Sequence, residues 1–244
     1  MQQNKNYAEV LKHTIGMHRE PVAVKLVGEE AQLSHINPND YDAGTKSRYC
    51  QGVMRATRGE RVILNADNIS CAAAAAAFGF KTLHPKLASG EAHFNTGTFG
   101  TQEAAQRIMG DMPRLACGDY HSVLISPLAL AEFEPDVVLI EAPPENLMWL
   151  ALACIYTSGE RLQFSTSVVQ ATCVDCTVVP FISGKTNATL GCNGCREATD
   201  LNVTENLLGI PYASLSSIID NLANMKEFIT KNRSKSIYER FDKK

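Results

Sequence analysis

The sequence contains no apolar run of about 18 residues, the minimum length of a transmembrane helix. Its most apolar stretch, residues 146–156, is too short to cross a bilayer. The N-terminal segment MQQNKNYAEVLKHTIGMHRE also lacks the apolar core of a secretory signal peptide. We therefore expect a cytoplasmic protein with no membrane partner, in a compartment where disulfides are rare.

The chain also lacks an excess of positive charge. It has 23 Lys and Arg against 26 Asp and Glu, which gives a formal net charge of -3. General nucleic-acid binders usually have a basic surface, so we expect no nucleic-acid partner. Apolar residues at 45% and charged residues at 20% are instead ordinary for a globular protein.

Motifs of several enzyme classes are absent as well. The sequence has no H-E-x-x-H of zinc proteases, no G-x-S-x-G of serine hydrolases and no G-x-G-x-x-G of dinucleotide-binding proteins. It also lacks the C-x2-C-x2-C-x3-C-P run of bacterial ferredoxins and the C-x3-C-x2-C motif of radical enzymes. Any cofactor site in this chain must therefore be built from a different pattern.

Two short glycine motifs and the histidines give weak indications. GKT at 184–186 lacks the earlier glycine of a phosphate loop, so it predicts a turn. TGTFG at 96–100 is compatible with a phosphate or substrate loop or with an ordinary loop. The six histidines are scattered, and we expect each of them, His93 included, to be a surface residue or a satisfied polar one.

Segments of strand and helix type alternate along the chain. Runs of β-branched and other apolar residues predict strands at 21–27, 61–67, 122–128 and 136–142. Helical periodicity and caps predict helices at 7–17, 47–59, 101–112, 147–159 and 214–232. The sequence therefore predicts a mixed α/β (α+β) fold in one domain, residues 1–244, with a mixed sheet, flanking helices and a β-rich, cysteine-bearing section at 162–195.

The eight cysteines need an explanation in a reducing compartment. Cys117 and Cys154 suit the role of small buried apolar residues. The other six are candidate metal ligands: Cys50, Cys71, Cys173, Cys176, Cys192 and Cys195. The last four form two C-x-x-C pairs separated by fifteen residues. We expect the intervening segments to pair as a β-hairpin at 173–195, which would bring the four thiols together.

Four unpaired thiolates repel one another, so such a group favours a cation or a cluster. The spacing suits a tetrathiolate zinc site, and a four-cysteine set equally suits an iron–sulfur cluster. A catalytic dithiol and buried free thiols stay open as alternatives. Only the second pair, Cys-Asn-Gly-Cys, has the glycine of a zinc knuckle, while the first runs into an expected edge strand with Pro180.

Cys50 and Cys71 offer a second ligand set. Cys50 lies among arginines, and Cys71 is expected in the first turn of an alanine-rich helix capped by Ser70. Both environments favour the thiolate. Two arginines near thiols, Arg55 and Arg196, could balance the negative charge of a cluster or form surface ion pairs, and we retain both as candidate cofactor-binding residues.

Several stretches, taken in order, resemble the domain-of-unknown-function 169 family, which is common in archaea and anaerobic bacteria. They are EPVAVK (20–25), YCQGVMRATRGE (49–60), NISCAAAAAAFG (68–79), PR (113–114), SPL (126–128), EPDVVLI (134–140), YTSGER (156–161) and LGCNGCR (190–196). The resemblance covers nearly the whole chain and implies a distributed quartet: Cys50, Cys71, Cys173 and Cys192. It implies that Cys176 and Cys195 are additional thiols. The family has no assigned activity.

The expected function is that of an iron–sulfur protein with one 4Fe–4S cluster, which an anaerobic setting favours over zinc. An iron without a thiolate would suit an oxidoreductase or lyase, whereas four capped irons would suit electron transfer or a structural role. The alternatives are a zinc-ribbon interaction module and a thiol-disulfide redox protein. The expected partner is a small molecule or an electron-transfer protein, and a homo-oligomer stays open.

Overall fold

A computed structural model describes residues 2–29 and 36–233 of the chain. Six strands form one sheet: β1 (Val22–Val27), β2 (Val62–Asn65), β3 (Ser122–Pro127), β4 (Val137–Ala142), β5 (Asn187–Thr189) and β6 (Asn206–Pro211). The first α-helices are α1 (Gln2–Ile15), α2 (Tyr49–Thr57), α3 (Ala72–Ala77), α4 (Pro85–Ala88), α5 (Glu91–Asn95) and α6 (Gln102–Gly110). Then follow α7 (Pro144–Ile155), α8 (Val179–Ser183), α9 (Asn193–Ala198) and α10 (Tyr212–Arg233). A π-helix, Ala171–Val178, runs directly into α8.

The sheet has the strand order β2-β3-β1-β4-β6-β5, and every pairing between these strands is antiparallel. The mixed α+β class is confirmed, with an antiparallel sheet in the described residues where we expected a mixed one. Strand β4 is buried on both faces: Val137 and Leu139 belong to one core cluster, and Val138 and Ile140 to the other. Burial on both sides explains why this strand is a continuous apolar run.

Helices cover both faces of the sheet. On one face α1, α7 and α10 pack together over the apolar cluster that includes Leu150 and Leu222. On the other face α2, α3 and the π-helix pack around Val53, Phe78 and Val174. Among the described residues, no helix has both the length and the apolar character needed to cross a membrane. The candidate site lies on the second face.

The predicted β-rich section at 162–195 is wrong, and so is the hairpin at 173–195. Residues 171–183 are helical, and only Asn187–Thr189 forms a strand, which pairs with β6. The β-branched residues of this segment favour a strand by propensity, but tertiary burial decides otherwise. All eight π-helix residues are buried. Pro180 has no backbone N–H to donate within this continuous helical segment, and the Asp175 backbone oxygen, five residues earlier, accepts from the Asn187 side chain at 2.6 Å instead.

A glycine in β6 allows the π-helix to lie directly on the sheet. A Cβ atom placed on Gly209 would stand 1.9 Å from the backbone oxygen of Cys176 and 2.7 Å from its carbonyl carbon. Both obstructing atoms are main-chain atoms, so a side-chain rotation cannot relieve the overlap. Gly209 therefore fixes how closely the helix that contains Cys173 and Cys176 approaches the strand.

We expect Gly209→Ala to lower the free energy of unfolding by about 3 kcal/mol, because the added methyl group forces the π-helix away from the sheet. Urea unfolding followed by circular dichroism measures the change. Gly110→Ala is the matched control: this exposed helical glycine has nothing within 4 Å of its added Cβ. The control should be neutral or slightly stabilising. Equal stabilities for the two variants would contradict the close approach at Gly209.

Candidate functional site

A cavity of about 520 Å³ lies where α2, α3, α9 and the π-helix meet, and it is lined by thiols. The thiols come from four separate parts of the chain: Cys50, Cys71, Cys173 and Cys192, with Cys195 beside the last. All eight cysteines are free thiols. The fold thus brings the distributed quartet into one cavity, although up to 142 positions separate its members (192 − 50).

Each of the four cysteines lies at the start of a helix. Cys71 and Cys192 occupy the N-cap positions of α3 and α9. Cys50 is the second residue of α2, and Cys173 is the third residue of the π-helix. The N-cap of α3 was expected at Ser70 and lies one residue later. Helix N-termini present free N–H groups and a positive dipole end, and both stabilise a thiolate.

The four sulfurs form one electrostatic group. The pKa of Cys50 is raised to about 12, chiefly by burial, and the neighbouring thiols of Cys192 and Cys71 contribute to the shift. Arg48 opposes this shift. Burial also raises the pKa of Cys173, and the thiols of the other three cysteines contribute. Like charges influence a pKa only over short distances, so these thiols interact directly if they ionise.

Cys192 differs from its neighbours because its pKa is lowered, to about 6. The neighbouring Cys195 thiol is the main cause, and backbone N–H groups of Ala171, Cys195 and Gly194 add to it. The Cys195 N–H donates to the Cys192 sulfur at 3.3 Å. The pKa of Cys195 is correspondingly raised, first by Cys192 and then by burial. Of this pair, Cys192 is therefore the thiolate.

Cys176 does not belong to the cavity lining. It is fully buried, and its sulfur lies 3.9 Å from the backbone oxygen of Asn187 on strand β5. Since Cys173 lines the cavity, the helix presents its two cysteines to different surroundings. The two C-x-x-C pairs therefore do not converge as four thiols, and the described residues 171–195 do not form the hairpin that a zinc ribbon needs.

The two predicted arginines lie outside the cavity lining. Arg55 forms ion pairs with Asp42 at 2.8 Å and Glu60 at 2.6 Å. Arg196 donates to backbone oxygens of Asn202 and Glu205, at 2.9 and 2.8 Å, and also to Leu190. Arg55 is thus an ion-pair residue. Arg196 instead holds the loops on either side of α9, which helps to position Cys192.

Three cavity residues were missed by the sequence prediction: Arg48, His93 and Thr172. Arg48 donates to the Gly194 backbone oxygen at 2.9 Å, which ties α2 to α9 beside the thiols. In the sequence, Arg48 precedes Cys50 by two residues, and this proximity is the signal that could have identified it as a site residue. His93 was expected to be a surface or satisfied residue, yet its buried Nε2 has no hydrogen-bond partner among the described residues.

A buried carboxylate organises the rim of the cavity. Asp175 accepts hydrogen bonds from the hydroxyls of Thr166 at 2.7 Å and Thr189 at 3.0 Å. It also accepts from the backbone N–H groups of Ser167 and Val168, at 3.3 and 3.4 Å. Val168 lines the cavity with a φ of 52°, a strained conformation for a β-branched residue. Asp175 thus holds a strained rim in place.

Within residues 2–29 and 36–233, no three His, Cys, Asp or Glu side chains are grouped closely enough to hold one metal ion. A single zinc ion needs its ligands at about 2.0–2.3 Å from one centre. In a four-iron cluster each iron takes one thiolate, so the ligand sulfurs stand further apart.

The fold and the cavity define an α+β protein with a buried, thiol-lined site. The chain belongs to the family described as Uncharacterised ArCR, the domain-of-unknown-function 169 family, which matches residues 10–221. It is similar to Uncharacterized protein MJ0308 of Methanocaldococcus jannaschii, with 28% identity over 213 residues, 86% of this chain and 89% of the relative. No solved structure matches the chain. The family expected from the sequence motifs is confirmed.

In the reduced, metal-free protein we expect iodoacetamide to modify Cys192 before Cys50. At pH 7 a thiol with a pKa of about 6 is roughly nine-tenths thiolate, whereas one with a pKa of about 12 is almost entirely protonated. The Cys192 rate should fall by about tenfold between pH 7 and pH 5, as this thiolate takes up its proton.

Peptide mass spectrometry at a series of reaction times measures both rates. Cys117, which we expected to be buried, is exposed and serves as the accessible reference. Modification of Cys195 ahead of Cys192 would contradict the assigned thiolate.

Proposed function

We propose that this chain binds one 4Fe–4S cluster through Cys50, Cys71, Cys173 and Cys192. The single observation that supports this proposal is the meeting of these four thiols in one cavity. Four isolated buried thiols would be unremarkable as small apolar residues. A group at four helix N-termini around an open volume is better explained by a shared ligand.

The burial of two thiols of the quartet supports a metal cluster over free thiols. Cys50 and Cys173 are costly to ionise, as their raised pKa values indicate. Positively charged irons would offset both the burial and the mutual repulsion. Binding then releases protons, so the affinity for iron should rise with pH.

The surroundings of the quartet bear on the charge of a bound cluster. Arg48 contributes a guanidinium group to the wall and Glu197 a carboxyl group, and α3 begins at Cys71 with no acidic residue in its first turn. The six alanines of α3 let other groups approach closely, and Ala72, Ala73 and Ala74 line the cavity. Apolar walls limit solvent access, which protects a cluster and tunes its potential.

The proposed role is redox chemistry in the cytoplasm. Four thiolates would cap all four irons, which favours electron transfer over an enzyme that needs an open iron. The reaction partner would be a small molecule in the cavity or an electron-transfer protein. Self-association into a homo-oligomer stays a prediction.

A second candidate is thiol-disulfide exchange by Cys192 and Cys195. One observation favours it: the lowered pKa of Cys192 at the start of α9, with Cys195 three residues later. Redox-active C-x-x-C motifs have a low-pKa cysteine in this arrangement. This candidate needs only the local pair, so it leaves Cys50 and Cys71 without a role.

Cys173→Ala and Cys176→Ala test the cluster proposal as a matched pair. Both residues are buried on the same helix, but only Cys173 lines the cavity. After anaerobic purification, wild type and Cys176→Ala should contain about four irons and four sulfides per chain, with broad visible absorbance. Cys173→Ala should lose most of both. Thermal unfolding checks that each variant is folded.

Equal iron contents for the two folded variants would contradict the proposed ligand set. Cys71→Ala separates the candidates further, because a zinc ribbon or a local disulfide at 192–195 does not need that thiol. Loss of iron in this variant supports the distributed quartet. A colourless wild type with a reducible Cys192–Cys195 disulfide would support the second candidate instead.

A further inference from the structure

A second cavity, of about 860 Å³, lies where the end of α7, the loop at 158–165, the segment at 184–186 and the start of α10 meet. None of its described lining residues lines the thiol-lined cavity. Its volume is within the range of small-molecule sites. The second cavity is therefore a separate candidate binding place, and it does not depend on the proposed cluster.

Two cations in the wall of this second cavity have no ion-pair partner. Arg161 and Lys185 both line it, and neither forms an ion pair with any residue that the structure describes. Both side chains are exposed, so a molecule in the cavity can reach their charged ends. Glu160 is the one other charged residue of the described lining, which leaves an excess of one positive charge. This balance favours an anionic ligand.

Two serine hydroxyls add uncharged donors to the same lining. Ser158 Oγ accepts from the Glu160 backbone N–H at 3.2 Å, and Ser183 Oγ accepts from the Lys185 backbone N–H, also at 3.2 Å. Toward the described residues neither hydroxyl donates a hydrogen bond in return. A hydroxyl has one proton and two lone pairs, so each serine can still donate to an oxygen of a ligand.

The segments that carry these donors are held in place by the rest of the fold. Asn187 is only 2% exposed, donates to the Ser165 backbone oxygen at 2.7 Å and accepts from the Ser165 N–H at 2.8 Å. These bonds tie the loop that contains Arg161 to strand β5. Gly184 ends α8 with a φ of 65°, directly before Lys185. A backbone that is already ordered lowers the entropy cost of binding a ligand.

We propose that the second cavity binds a small molecule with a phosphate group, a phosphate monoester, through two cations and two hydroxyls: Arg161, Lys185, Ser158 and Ser183. A guanidinium group donates parallel N–H groups to phosphate oxygens, and an ammonium group adds a compact charge. A phosphate offers three strong acceptor oxygens, whereas a carboxylate has two. Phe164, 43% exposed, lines the same cavity and offers apolar surface to the organic part of the ligand.

Glycerol 3-phosphate, glycerate and glycerol test the ligand class, because they share one carbon skeleton and differ in charge. Isothermal titration calorimetry on the full chain measures their dissociation constants. We expect saturable binding of glycerol 3-phosphate, at least about tenfold weaker binding of glycerate and no binding of glycerol. Equal or tighter binding of glycerate would contradict the phosphate assignment. No binding of glycerol 3-phosphate at about 10 mM would contradict the site itself.

Arg161→Met and Lys185→Met test the two cations, with Lys81→Met as the matched control. Methionine keeps an unbranched side chain and removes the charge. Each lining variant should weaken the binding of glycerol 3-phosphate by about tenfold, the loss expected for one charged hydrogen bond. Lys81 is also exposed but lies outside the cavity lining, so its variant should bind like wild type. Thermal unfolding checks that all three variants are folded.

Two results of this comparison would overturn the proposal. Equal weakening by all three variants would mean that the phosphate is attracted to the general charge of the surface. Lining variants that bind like wild type would mean that the cations do not hold it. Iron is measured in every sample, and samples with and without iron should bind glycerol 3-phosphate equally, because none of the described residues lines both cavities. Failure of this site therefore leaves the cluster proposal untouched, and the reverse also holds.

Discussion

The packing of the 171–183 helix on strand β6 is the interaction on which the site depends. Gly209 has no Cβ, so the backbone of Cys176 rests directly on the strand. This contact places the Cys176 thiol at the sheet and leaves Cys173 at the cavity. The π-helical geometry, with Asp175 N–H bonded to the Gln170 oxygen at 3.1 Å, changes the angular spacing of the residues. Such segments are frequent at functional sites.

The chemistry of the site follows from a conflict between burial and charge. Low exposure favours protonated thiols at Cys50 and Cys173, whereas the helix N-termini and Arg48 favour thiolates. The proposed cluster would resolve this conflict, because its cationic irons would offset the negative charge that the protein alone would have to bury. Cys192 has a pKa lowered to about 6, so under this proposal it would be the first thiolate to bind iron.

Much of the fold could be predicted from the sequence where local pattern and tertiary burial agree. The run VVLI predicted β4 because that strand is covered on both faces, and Thr101 caps α6 as expected, accepting from the Ala104 N–H at 3.1 Å. The prediction for residues 171–183 was wrong, because tertiary packing holds the β-branched residues of this segment in a helix. Strand β6 was not predicted, because the glycine and proline at positions 209 and 211 are unfavourable within a strand. The structure shows that Gly209 is needed for the close approach of the π-helix.

The residues of the candidate site could be predicted only in part from the sequence. Spacing alone favoured the four thiols of the two C-x-x-C pairs, while the family motifs indicated the quartet that the fold brings together. Arg48, His93 and Thr172 join the site only through tertiary contacts, and no spacing rule reveals them.

The most direct measurement is a crystal structure of anaerobically purified protein, with data collected on both sides of the iron absorption edge. The account predicts strong iron anomalous density within the cavity, within bonding distance of the sulfurs of Cys50, Cys71, Cys173 and Cys192. A cavity with the four thiols in place and no iron between them would contradict it, as would a single metal held only by Cys192 and Cys195.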